Sequence, residues 1–262
     1  MVKKSGMKFR LEICVDSVES AVNAQIAGAH RVELCNDLIE GGTTSSIGTI
    51  SIVRENLTIC LHVIIRPRGG DFLYSGKEYE IMRRDIEICG EYGVDGIVLG
   101  ILNRDGSIDV DRTARLIESA HPMSATFHRA FDMCSDPFKG LEDVIATGAK
   151  RLLTSGQKNS AEEGLDLITL LVQKAEERII IMPGGGIDES NIEKIARACK
   201  AKEFHLTGRK IIDSEMSFRR EDILMGGVPG IPEFSRKIAD TEKIKKIINI
   251  LGKIKKLIII YI

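Results

Sequence analysis

Imidazole, guanidinium and carboxylate groups cluster where the apolar runs of this chain end. Residues 60–72 read CLHVIIRPRGGDF, residues 125–133 ATFHRAFDM, residues 179–187 IIIMPGGGI and residues 203–208 EFHLTG. A buried strand needs none of these polar side chains in order to fold. Collected at one end of a sheet or barrel they would line a pocket, and in parallel α/β folds the C-terminal ends of the strands are where sites lie. The chemistry on offer is of two kinds. His62, His128 or His205 suits a general base, with Glu12 or Glu33 as its carboxylate partner. Arg66, Arg68 and Arg129, with Asp132 close by, are hydrogen-bonding groups, and paired guanidiniums grip a carboxylate or phosphate bidentately. The glycines Gly184, Gly185 and Gly186, together with Thr207-Gly208-Arg209-Lys210, read as a phosphate cup, because glycine lets the backbone approach closely and the last loops of a barrel often bind phosphate.

These groups need elements to hold them. Strands are expected to begin near Phe9, Arg31, Thr58, Gly96, Met123, Arg151, Ile179 and Glu203. Helical spacing marks residues 18–29, 79–92, 112–120, 141–147, 165–175 and 192–199 between them. Ser160-Ala161-Glu162-Glu163 and Ser190-Asn191-Ile192-Glu193 read as capping boxes. One design recurs three times: a Gly, an apolar residue, then a strand, at Gly28-Ala29, Gly93-Val94 and Gly148-Ala149. A helix stops at a residue able to take positive φ and the next strand starts. Eight strands alternating with helices favour a single-domain α/β chain, a (β/α)8 TIM barrel, over an open sheet, and no G-x-G-x-x-G follows the first strand.

Alternation along each strand then sorts the side chains. Glu12, Cys14 and Asp16 share one face of the first strand, and Glu33 and Cys35 one face of the second. His62, Ile64, Arg66 and Arg68 do so on the third, Thr126 and His128 on the fifth, and His205 and Thr207 on the eighth. Arg129 has the other parity. For any one of them the plain explanation is a buried ion pair, with Glu12 or Glu33 against Arg66. For the whole set, burying so many polar groups is costly unless they pair or meet a ligand.

Composition narrows the classes. The chain has 262 residues, 43% hydrophobic and 29% charged, with a formal net charge of −1. That balance gives no reason to expect nucleic acid or an anionic membrane as partner. Six scattered cysteines without a CxxC pair read as reduced and cytoplasmic. Residues 1–8 read as a short polar leader, 9–256 as the barrel and 257–262 (LIIIYI) as an apolar tail, with lysines before it too frequent for a membrane span. The long connection 209–240 reads as a lid or as a contact in a homo-oligomer.

Several long stretches resemble the CutC family: residues 33–46 (ELCNDLIEGGTTSS), 65–72 (IRPRGGDF), 126–133 (TFHRAFDM), 153–157 (LTSGQ) and 182–187 (MPGGGI). The likeness runs from about Phe9 to about Ile248. It implies a TIM barrel, a cytoplasmic setting and a part in copper homeostasis. It also implies a Cu(I) site at cysteines ending the first two strands, the positions that Cys14 and Cys35 hold here. Cu(I) is a soft ion that prefers thiolates at low coordination number. Cys134 and Met133 follow the fifth strand as auxiliary soft ligands. The hard, hydrogen-bonding groups of the pocket imply another function, an enzyme acting on a small phosphorylated or carboxylated molecule.

Overall fold

The computed structural model describes residues 9–225 and 230–260, the last six of them without their side chains. The first eight residues, the last two and the Gly226-Gly227 pair of the long connection lie outside the described residues, and so do the side chains of the apolar tail. Eight strands form one parallel ring: β1 (Arg10–Val15), β2 (Arg31–Leu34), β3 (Cys60–Ile64), β4 (Gly96–Leu99), β5 (Ser124–Phe127), β6 (Arg151–Thr154), β7 (Ile180–Pro183) and β8 (Glu203–Leu206). Pairing runs in sequence order from β1 to β7, with β8 on the free side of β1. The ring closes where Gly184, the residue after β7, bridges His205 of β8. Eight helices surround it: α1 (Val18–Ala27), α2 (Ile47–Asn56), α3 (Gly76–Glu91), α4 (Val110–Ser119), α5 (Pro137–Ala146), α6 (Leu165–Ala175), α7 (Ile192–Cys199) and α8 (Thr241–Ile260). This is a (β/α)8 TIM barrel.

Local signals explain the element ends. Ser17, Ser46, Ser75, Asp109 and Asp136 cap α1 to α5, each accepting a backbone N–H of the first turn. Gly28, Gly93 and Gly148 adopt φ of 94°, 67° and 84°, and the apolar residue after each is buried. The outward strand residues Leu11, Ile13, Val32, Leu61 and Val63 are sealed under helix residues such as Ala24, Val53, Met82 and Ile86. Each fully buried aliphatic side chain of this kind stabilises the fold by about 1.5–3 kcal/mol.

Three expectations change. The capping box is at Ser75 and Glu78, not at Ser160 or Ser190. Ser160 Oγ accepts the Glu163 N–H, but α6 starts only at Leu165, after Gly164, and Asn191 precedes α7 without a side-chain cap because Ser190 bonds to Asp188. The connection after β8 is also not a plain loop. Its two ends pair as an antiparallel hairpin, β9 (Arg209–Asp213) with β10 (Ser235–Ala239). Finally, α8 does not stop at Lys256 but runs to Ile260, with Ile244, Ile247, Leu251 and Ile254 buried. No helix among the described residues is long and apolar enough to cross a membrane.

Candidate functional site

The inner face of the barrel is polar from its base to its mouth. At the base, Arg31 of β2 donates from Nε to Glu12 and from Nη2 to Glu203 Oε2 at 2.8 Å. Arg151 of β6 reaches the same Glu203 oxygen at 2.8 Å and Ser124 Oγ at 2.7 Å. One level up, Glu12 Oε1 lies 2.8 Å from His205 Nδ1, and its other oxygen lies 3.7 Å from His62 Nδ1. Strand register makes this layering unavoidable, since Glu12 pairs with Arg31 on one side and His205 on the other. Higher still, His205 Nε2 is 3.5 Å from Glu33 Oε2, and Cys14 Sγ is 3.6 Å from Cys35 Sγ. Cys14 and Glu33 are themselves register partners.

Burial and charge set the protonation of this column. Burial alone would raise the Glu12 carboxyl, but Arg31 and the bond to His205 outweigh it and hold it well below the usual range. Glu33 is pushed well above that range by burial and by the charge on Cys14. The hydrogen bond from Cys35, helped by His205 against burial, lowers the Cys14 thiol to about 5, while Cys35 is pushed up as the donor. Burial lowers His205, yet Glu33, Cys14 and Glu12 together carry it well above its ordinary value. His62 has no such set of partners, and burial lowers it to about 4.

A cavity of about 420 Å³ opens above the thiols at the C-terminal end of the strands. It brings together Cys14, Glu33, Arg66, His128, Arg129, Asp132, Gly185, Gly186, His205 and Arg209, with Met133 at the rim. Glu12 and His62 are inward but lie beneath the cavity floor. Cys35 is behind Cys14, against Gly42. Gly184 belongs to the barrel wall, where a Cβ would meet Leu153 at 2.5 Å. Arg68 leaves the lumen altogether: it bonds Glu78, Asp71 and the carbonyl of Leu73, and so builds the turn after β3. Cys134 is also outside, packed near Gly140 and bonded by Gln157.

Arg66 does not pair with Glu12 or Glu33. Its Nη1 donates to the carbonyls of Glu40 and Gly42, and its Nη2 to that of Gly70. Asp132 accepts from Arg129, Thr154, Ser155 and the N–H of Gln157, which ties the β6 loop to the short helical turn after β5. Arg209 stands 3.6 Å from Asp16 at the mouth. Arg31, Arg151 and Glu203 are the partners that the sequence reading passed over. Each opens a strand with inward parity: Arg31 two residues before Glu33, Glu203 two before His205, and Arg151 two before Leu153, which lines the cavity.

Comparison with known proteins bears on this constellation. Residues 9–210 match the CutC family. The chain belongs to the CutC family. A copper homeostasis protein cutC homolog from Mus musculus is 47% identical over 249 residues, 95% of this chain and 91% of that one. A family protein CutC from Parabacteroides distasonis is 50% identical over 240 residues, 91% of this chain and 99% of the other. The crystal structure of a CutC copper homeostasis protein from Streptococcus agalactiae superposes with a TM-score of 0.72 at 35% identity, covering 76% of this chain and 98% of that one. The CutC match takes in the whole polar column and the cavity wall as far as Arg209, and stops short of the hairpin's second strand and α8.

The donor set suits a soft ion. Cys14 Sγ, Cys35 Sγ and a Glu33 oxygen lie within 4.8 Å of one another, all buried. At 3.6 Å the sulfurs are too far apart for a disulfide of about 2.05 Å. They are close enough for one ion to reach both, with metal–sulfur bonds of about 2.3 Å as at zinc.

Proposed function

We propose that this CutC-family chain binds and handles Cu(I), held by Cys14 and Cys35 with Glu33 in reach. The observation that supports it is the 3.6 Å approach of two buried thiols on adjacent strands, one of them drawn down to about 5. A thiolate is the form that binds metal, and soft Cu(I) prefers it over the nearby carboxylates and imidazoles. All six cysteines are free thiols, which accords with a reducing, cytoplasmic setting. Anaerobic Cu(I) titration against a competing chelator tests this. About one ion per chain is expected in the wild type, with binding lost in Cys14→Ala and in Cys35→Ala. Unchanged affinity in the double variant would sink the reading.

A second reading is favoured by a separate observation. Gly185 and Gly186 (φ 99° and 67°) line the cavity together with Arg129, Thr207 and Arg209, and Gly185 lies against the Arg129 guanidinium, a set of backbone and guanidinium groups of the kind that takes a small anion. With His205 oriented by Glu12, this would be a barrel enzyme acting on a small phosphorylated or carboxylated molecule. Inorganic phosphate should then raise the melting temperature of the wild type and not of Arg209→Ser. Equal shifts in both would remove the anion cup.

A further inference from the structure

The segment 36–43, which follows β2, folds back on itself. Asn36 and Thr43 exchange two backbone hydrogen bonds of 2.8 Å, and the Gly42 N–H reaches the Asp37 carbonyl at 3.1 Å. This closed segment covers the two thiols. Leu38 packs on the small apolar cluster of Cys14, Cys35, Ile64 and Val98. Gly42 lies against Cys35 itself: a Cβ there would meet Cys35 Sγ at 3.2 Å and Cys35 Cβ at 3.3 Å. Arg66, two residues beyond β3 and only 4% exposed, ties the cover to the barrel. Its Nη1 donates to the carbonyls of Glu40 at 2.9 Å and Gly42 at 2.7 Å, and its Nη2 to that of Gly70 at 2.9 Å. Its backbone joins in, donating to Thr44 Oγ1 at 2.9 Å and accepting the Thr44 N–H at 3.0 Å.

We propose that Arg66 is a positioning residue for the dithiol: by pinning the carbonyls of Glu40 and Gly42 it presses the cover onto Cys35 and sets that sulfur against Cys14. This rests on the reading of Cys14 and Cys35 as a Cu(I) site, and it names the residue that holds the site in shape. The guanidinium touches neither sulfur and acts through Gly42. Its planar fork is what lets one side chain bridge the cover and the turn at Gly70, which a single ammonium does not do. Among the described residues no carboxylate pairs with Arg66, and a buried cation without a counter-charge is costly. Cu(I) between two thiolates carries one net negative charge, across Gly42 from this guanidinium.

N-ethylmaleimide labelling of the full copper-free chain, read at each cysteine by mass spectrometry, tests the hold on Cys35 without the ion. Cys89, buried on α3, is the internal reference for global opening. In Arg66→Met the Cys35 rate is expected to rise about tenfold or more relative to the Cys89 rate. Cu(I) affinity, from anaerobic chelator competition, is expected to fall about tenfold or more in the same variant. Arg66→Lys keeps the charge without the fork, and it decides by the same two readings should Arg66→Met fail to fold. Cys35 and Cys89 rates that rise together, or not at all, would reduce Arg66 to general stability and overturn the proposal. A selective rise at Cys35 with Cu(I) affinity retained overturns it too, and leaves the copper reading standing. Absence of Cu(I) binding in the wild type removes that reading and the proposal with it.

Discussion

Arg31 and Glu203 stand on strands that are not neighbours, yet Arg31 Nη2 meets Glu203 Oε2 at 2.8 Å inside the barrel. The guanidinium also holds Glu12, and Arg151 closes the set from β6. The barrel is therefore braced by charge across its lumen at the level where many barrels are filled with aliphatic side chains.

Removing that centre should be costly. Arg31→Met leaves two buried carboxylates without their shared cation, and loss of one partner of a buried pair costs about 3–5 kcal/mol. Guanidinium chloride unfolding should show a midpoint lowered accordingly, with part of the loss recovered in Arg31→Met combined with Glu12→Gln. A change under about 1 kcal/mol in the single variant would mean that water replaces the guanidinium and that the brace is dispensable.

Two buried histidines should make the fold sensitive to acid above the ordinary carboxylate range. Burial lowers His62 to about 4 and His128 to about 3, in the latter case with Arg66 adding to it. Both are neutral in the folded chain and bind protons more readily once unfolded. Their contribution is complete above the unfolded value near 6.5 and is lost as pH falls from there towards the folded values. Between pH 6.5 and 5 each histidine should remove about 2 kcal/mol, at 1.36 kcal/mol per unit of pKa difference. Glu12, held low, acts in the same direction only below its unfolded value of about 4.5. His205 and Glu33 are both raised, so their contributions are present in acid and fade as pH rises, opposing His62 and His128. Between pH 7.5 and 5, denaturant unfolding should show the wild type losing more stability than His62→Leu, by about the His62 contribution. The same pH slope in wild type and His62→Leu would show that the His62 ring is hydrated.

The barrel was legible because it is a repeated unit: three Gly-apolar-strand junctions and alternating apolar runs specify it locally. Parity also placed Cys14, Glu33, His128 and His205 inward, since register on a parallel strand leaves no choice of face. Two things were not legible. Arg66 has the inward parity but its partners are carbonyls of loops 40–42 and 70, and a backbone acceptor leaves no mark in sequence. The hairpin of residues 209–213 and 235–239 has strands that are largely exposed and lack alternation.

Asp132 should behave as a loop anchor whose loss reshapes the cavity wall. Its carboxylate takes the N–H groups of Ser155 and Gln157 and the hydroxyls of Thr154 and Ser155. Asp132→Ala leaves buried donors without an acceptor, at about 1–3 kcal/mol for each that water cannot reach. We expect a lowered melting temperature and faster amide exchange at Ser155 and Gln157, while exchange in β1 and β2 stays unchanged. Intact protection at Ser155 in the variant would show that Arg129 and Lys158 suffice to hold the loop.

Gly41 and Gly42 offer a paired test of the copper reading. Both have positive φ, 86° and 94°, so alanine at either position meets the same backbone penalty of about 1–2 kcal/mol. Their surroundings differ. A Cβ on Gly42 would lie 3.2 Å from Cys35 Sγ and 3.3 Å from Cys35 Cβ, whereas a Cβ on Gly41 meets only Arg66 Nη1 at 3.9 Å. Gly42→Ala should therefore displace the Cys35 sulfur relative to Cys14 and weaken Cu(I) binding, and Gly41→Ala should lose similar stability with Cu(I) affinity retained. Parallel chelator competitions and melting curves on the two variants separate strain from site. Equal Cu(I) affinity in both would mean that the ion does not depend on the position of Cys35, and the dithiol reading would fall while the fold remained as described.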